Sequence, residues 1–126
     1  MFKVFDNLKV FIAAPYPHKD IAIKVMNLLL DNKINVVSTW HNNPPSSNFN
    51  NAALTDIEDL NNANTLILLE LDGGYGGKDR EFGYALAKEM NLIVISENGP
   101  QCIYDFLSDV DVFTDIKSAI DFIVKL

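Results

Sequence analysis

Short runs of contiguous apolar residues alternate along the chain with longer stretches whose apolar positions recur every three or four residues. This alternation predicts β-strands interleaved with α-helices. The contiguous runs place strands at about Lys9–Ala14, Asn35–Thr39, Thr65–Leu71, Leu92–Ser96 and Val110–Phe113. The helical period predicts helices at about His18–Asp31, Ala53–Asn62 and Asp79–Met90, a short one near Gln101–Leu107 and a last one at Asp115–Val124. Strands that are nearly all Val, Ile and Leu need cover on both faces, which crossover helices around a parallel sheet provide. The expected fold class is therefore α/β: a three-layer α/β/α sandwich with a five-stranded parallel sheet, flavodoxin/Rossmann-like.

One stretch fits neither period. His41–Asn51 is rich in Asn, Pro and Ser and reads as a long surface loop, not a linker, because the alternation resumes in phase beyond it. A chain of 126 residues suits one compact domain over its whole length. In an open parallel sheet, ligands bind outside the carboxyl ends of the strands. Four segments are expected to meet at that edge: Ala14-Pro15-Tyr16-Pro17, Trp40-His41 with the long loop, the glycine loop from Asp72 to Lys78, and Glu97-Asn98-Gly99-Pro100.

Charge narrows the partners. A net charge of −7 argues against a nucleic acid polymer, whose binding needs Lys and Arg to displace counterions from phosphates. A single nucleotide needs only a local site. Apolar runs such as Leu66–Leu69 and Leu92–Ile95 are too short to span a membrane, and the N-terminus has no basic-then-apolar leader, so the expected location is cytoplasmic. The single cysteine, Cys102, excludes an internal disulfide and a cysteine-built metal cage, and reads as a small buried hydrophobe just beyond a strand. His18 opens a helix and reads as structural, whereas His41 at the ligand edge is either a substrate contact or a solvated or capping side chain. Neither has a second donor at metal-ligand spacing.

The glycine loop fails two phosphate-binding patterns. Gly73 stands one residue too close to Gly77-Lys78 for a P-loop, and Asp79 occupies the place of the required hydroxyl. Gly74, Gly76 and Gly77 do not make a dinucleotide fingerprint. What remains is a flexible turn, or a loop whose amides receive an anion at a helix start. Behind it, Glu81 is expected in the first turn of its helix, where unpaired N–H groups and the macrodipole would keep it ionised. Thr55 and Glu58 have the form of a capping box, which would put Asp56 in the first turn of another helix, with Asp59 as the alternative on the same side. Each carboxylate is either ordinary helix-start chemistry or half of a pair flanking the third strand, and such a pair is the equipment for cleaving a glycosidic bond.

Three segments, "KVFIAAPYP", "VVSTWH" and "DIEDLNNANTLILLELDGGYGGKDREFGYALA", together resemble the nucleoside 2-deoxyribosyltransferase-like superfamily over nearly the whole chain. The most specific piece is "GGKDREFGYALA". The resemblance implies that Glu81 attacks C1′ of the sugar and that Asp56 assists departure or arrival of the base. It implies an aromatic wall of Tyr16 and Trp40 against the base, and backbone approach to the sugar or its 5′ substituent at Gly76 and Gly77. Lys78 would be the partner of a 5′-phosphate, with Phe11, Ala14 and His41 among the substrate-binding positions. The implied substrate is a small nucleoside or nucleotide, with no metal or organic cofactor, in a homo-oligomer. An acceptor base would make the protein a transferase and water would make it a hydrolase. The sequence departs from the transferases in having Phe11 for a tyrosine that touches the nucleophile, no second aspartate just before Glu81, and no extended tail before Leu126. These departures keep open a non-catalytic nucleotide-binding or sensor module on the same fold. An interaction scaffold, suggested by Phe49 and Trp40 near the long loop, is the third reading.

Overall fold

The computed structural model describes residues 7–43 and 47–125. Its elements are β1 (Lys9–Ala13), α1 (Lys19–Asp31), β2 (Asn35–Val36), α2 (Phe49–Asn61), β3 (Thr65–Leu69), α3 (Gly77–Ala87), β4 (Asn91–Ile95), β5 (Val110–Phe113) and α4 (Ile116–Val124). Short 3-10 turns lie at Tyr16–His18 and Ile103–Phe106. The five strands are all parallel in the order β2-β1-β3-β4-β5. The chain winds outward from β1 to β2, then returns past β1 to β3. The switch point of this doubly wound sheet therefore lies between β1 and β3, and a crevice opens outside their carboxyl ends.

Alternation along each strand divides the core into two layers. Val10, Ile12, Ile67, Leu69, Ile93 and Ile95 pack with Ala22, Val25 and Leu29 of α1 and with Ala119, Ile120 and Ile123 of α4. Phe11, Ala13, Leu66, Leu68, Leu92 and Val94 form the opposite layer with Leu60 of α2 and Phe82 and Ala85 of α3. With both faces covered, no strand needs polar outward positions, which explains the unbroken apolar runs. The expected three-layer α/β/α sandwich is thus the fold.

Several boundaries move for identifiable reasons. β2 stops at Val36 instead of Thr39: the Val37 amide still bonds to Val10 O, but the next β1 amide, Ile12, donates to the Ser38 side chain instead of to backbone. α2 starts at Phe49 and not at Ala53, because Asn48 Oδ1 accepts the Asn51 amide and caps the helix. Thr55 is consequently an interior residue of α2 and not its cap. The loop after β2 is displaced toward the N-terminus, running over residues 37–48, and its Pro44, Pro45 and Ser46 lie outside the described residues. α3 starts at Gly77, behind Gly76 at φ 93°, a left-handed conformation suited to glycine. Cys102 is exposed, not buried. The buried group at that turn is Asp105, whose carboxylate accepts the amides of Gln101 and Cys102.

Candidate active site

α2 and α3 lie over the same face of the sheet, and each contributes one carboxyl. Glu81 is the fifth residue of α3, and Asp56 is the eighth of α2. Both lie beyond the first turn, where the helix-end field fades. The expectation that a helix start keeps Glu81 ionised is therefore overturned. Burial pushes the Glu81 carboxyl up to about 8, and the nearby Asp56 charge adds to it. Burial likewise raises Asp56 to about 6, with the Asp59 charge acting in the same sense. Glu81 thus feels the Asp56 charge in a poorly solvated setting, and the two carboxyls are raised to different extents.

Asp59, one helical step from Asp56, is committed elsewhere. Its Oδ2 accepts the Thr39 hydroxyl at 2.7 Å and the Thr39 amide at 3.2 Å. It fastens the loop after β2 to α2, whose buried anchor is Leu60. Of the two aspartates, Asp56 is the one whose charge reaches Glu81.

The glycine loop between β3 and α3 is held at three places. Lys78 is buried, and its Nζ donates to Glu70 Oε1 at 2.9 Å and to Asp79 Oδ1 at 3.0 Å. Burial by itself would depress this ammonium, but the bonds and charges of Glu70 and Asp79 outweigh it and hold Lys78 above its usual value. Its charge is already matched by carboxylates, so it stands as a strut between strand end and helix start. Gly74, at φ 79°, lies against Pro15 so closely that a Cβ there would come within 3.1 Å of Pro15 Cβ. His18 Nε2 donates to the Asp72 carbonyl at 2.7 Å. Gly76 and Gly77 have open space where a side chain would be.

The other wall is aromatic. Tyr16 and Trp40 are tilted against one another with ring centroids 6.2 Å apart, and the Lys19 ammonium lies 5.7 Å from the Tyr16 centroid. Trp40 is oriented by its indole N–H, which donates to Ile12 O at 2.7 Å, and by the edge of His41 at 5.2 Å. Ala14, half-buried, closes the end of β1.

Two expected ligand-edge residues behave otherwise. His41 is neither solvated nor open to a ligand: it is 2% exposed, its Nε2 lies 2.9 Å from Ser38 Oγ, and its Nδ1 has no hydrogen-bond partner among the described residues. Burial lowers its pKa against the opposing pull of Asp59 and keeps the ring neutral. Phe11 has no exposed surface and belongs to the core layer that includes Phe82, the neighbour of Glu81. It supports the floor beneath α3 and has no surface to offer a ligand. Tyr84, half-buried, donates its hydroxyl to Asn61 Oδ1 and ties α3 to α2.

Sequence reasoning passed over Glu70, Ser38 and the cross-loop role of His18. Glu70 had a signal, a carboxylate just beyond an apolar strand at the ligand edge. Ser38 and His18 act through long-range bonds that no local pattern announces. The shallow groove of about 240 Å³ between Asn61, Asn64, Tyr84, Lys88 and Met90 opens beside the amino ends of β3 and β4, away from this edge.

No family model and no curated protein matches the sequence. Solved structures do. The chain resembles a 2-deoxyribosyltransferase from Bacillus psychrosaccharolyticus at a TM-score of 0.68 and 19% identity, over 90% of each chain. It also resembles the CMP N-glycosidase BcmB of Clostridium botulinum at a TM-score of 0.64 and 17% identity, over 94% of this chain and 99% of that one. At these identities the likeness is one of fold, and it extends through nearly the whole architecture.

Proposed function

We propose that the protein cleaves the N-glycosidic bond of a (deoxy)nucleoside or its 5′-monophosphate, with Glu81 as the nucleophile at C1′ and Asp56 as its proton partner. The observation that carries this reading is the pair of carboxyls on α2 and α3, both raised by burial: between about pH 6 and about pH 8, Glu81 and Asp56 hold one proton and one negative charge between them. Displacement with a covalent intermediate needs that ionisation, one carboxylate to attack and one acid to protonate the leaving group. The fold shared with a 2-deoxyribosyltransferase and a CMP N-glycosidase supports the same chemistry.

In the free protein the proton rests on Glu81, the more strongly raised of the two. As the sugar enters, the electron-poor C1′ faces Glu81 and favours its carboxylate form, so the proton passes to Asp56. A Glu81 oxygen then bonds to C1′ as the C1′–N bond breaks through an oxocarbenium-like transition state. Asp56 gives its proton to the departing base. An acceptor base or water attacks C1′ in turn, loses its proton to Asp56, and releases Glu81 as carboxylate. Tyr16 and Trp40 hold the base by their ring faces, Ala14 closes the crevice, and Gly76 and Gly77 leave room for the sugar. Lys78 acts through the shape of the loop.

The reading also takes the protein to be a homo-oligomer. Phe49, Leu54 and Ile57 on α2 are large apolar side chains left exposed, and like copies packing there would cover them. The enzymatic claim is tested by incubating the protein with nucleosides and their 5′-monophosphates, with and without a second base, and separating the products. Free base or a new nucleoside is expected from the wild type and neither from Glu81→Gln. Ligand binding with no turnover in the wild type would instead favour a nucleotide-binding module.

A further inference from the structure

The crevice at the switch point has two sides that belong to different loops. On one side, the segment after β1 carries Tyr16, which adjoins Trp40. On the other, the segment after β3 passes through Gly73 and Gly74, both at positive φ, before it reaches α3 and Glu81. Consecutive glycines give a chain wide conformational freedom, so a wall built from them keeps its position only if something outside the loop holds it. His18 crosses between the sides: its Nε2–H donates to the Asp72 carbonyl, immediately before the glycines, at 2.7 Å. Two residues earlier in the same 3-10 turn is Tyr16. The close seat of Gly74 on Pro15 lies beside this bond and limits only how near the two backbones come, so the His18 bond is what keeps them from parting. Lys78 holds the far end of the loop, leaving Asp72–Gly74 to the His18 contact.

His18 has no other evident task at this place. It is the N-cap residue of α1, yet its side chain makes no capping hydrogen bond to that helix. Glu81 and Asp56 stand on α3 and α2, and the His18–Asp72 bond touches neither helix.

We infer that His18 is a positioning residue, a clamp that sets the distance between the base-stacking aromatic wall and the sugar-facing glycine wall. The inference rests on the proposed N-glycosidic reading for the identity of the substrate, and on geometry alone for the clamp. A clamp of this kind acts on productive binding more than on bond breaking. Its loss leaves Glu81 and Asp56 in place but lets the glycine wall drift from the sugar.

The test compares wild type, His18→Leu and His18→Gln, with Gln retaining an N–H donor. The readings are KM and kcat for base release, together with backbone order of Gly73–Gly77 by NMR relaxation. The expected result for His18→Leu is a rise in KM of about five-fold, the worth of one ordinary hydrogen bond, with kcat held within about two-fold and the glycine segment more mobile. His18→Gln is expected to recover most of the KM and the loop order. Wild-type KM in His18→Leu, or a loss confined to kcat, would overturn the positioning role even if the loop loosened. If the wild type releases base from no substrate, the functional reading fails by itself. A more mobile loop in His18→Leu would then still uphold the clamp, and an unchanged loop would overturn it.

Discussion

Glu81 holds its proton at neutral pH because its carboxyl is buried, and Asp56, less strongly raised, gives up its proton first. Two pH dependences follow at this scale. The kcat/KM for base release should be bell-shaped, rising through about pH 6 as the pair acquires its single negative charge and falling through about pH 8 as it loses its last proton. Replacing Asp56 by Asn should remove the acid and depress kcat by about 100-fold or more. Stability follows the opposite logic. Folded Glu81 keeps its proton up to about pH 8, whereas the unfolded chain releases it near 4.5, so its burial costs least below pH 4.5 and progressively more up to pH 8. Urea denaturation should therefore find Glu81→Gln more stable than wild type at pH 9, by roughly 3–5 kcal/mol, with the difference fading toward pH 4. Sequence marks these two carboxyls through the "GGKDREFGYALA" segment and the upstream "DIEDLNNAN". Their ionisation is illegible there, because it depends on how deeply two separate helices sink toward one strand. The same blindness to burial misplaced His41 and Cys102.

At the scale of elements, the start of α2 distinguishes two capping schemes. The Thr55–Glu58 spacing mimics a capping box, but Asn48 lies about two turns upstream at a true cap and accepts the Asn51 amide at 3.0 Å. Asn48→Ala is expected to destabilise the protein by about 1 kcal/mol in urea denaturation, while Thr55→Ala, an exposed interior position, should change it by less than about 0.5 kcal/mol. Equal effects would contradict the assigned cap. The glycine loop offers a second contrast. Gly74→Ala adds a Cβ against Pro15 and forces a left-handed φ on alanine, whereas Gly77 has space for a Cβ and lies in the helix. The first change should cost stability, and the second should be nearly neutral. Helix starts are read poorly from sequence because Asn, Thr and Ser can all cap, and packing chooses among them. Strand centres are read well because an apolar run in a sheet covered on both sides has few other uses.

For the whole molecule, the alternation of periods yields the three layers and the five strands, but it leaves their order open, since all five read alike. The order β2-β1-β3-β4-β5 is what brings the loops after β1 and β3 side by side and makes a crevice of them. Assembly belongs to this scale as well. Sedimentation of the wild type is expected to give a species larger than one chain, and Phe49→Glu with Ile57→Glu should shift it toward the monomer, whereas a wild-type monomer would contradict the oligomeric reading. Among the described residues no helix is long and apolar enough to cross a membrane. The central claim, covalent catalysis by Glu81, is most directly tested by intact-mass and peptide analysis of the protein quenched during turnover with a 2′-fluorinated nucleoside, which slows release of the glycosyl-enzyme. A mass gain of one sugar unit on the α3 peptide, absent in Glu81→Gln, is the expected result. Base release by Glu81→Gln at the wild-type rate, or a sugar adduct on another residue, would contradict it.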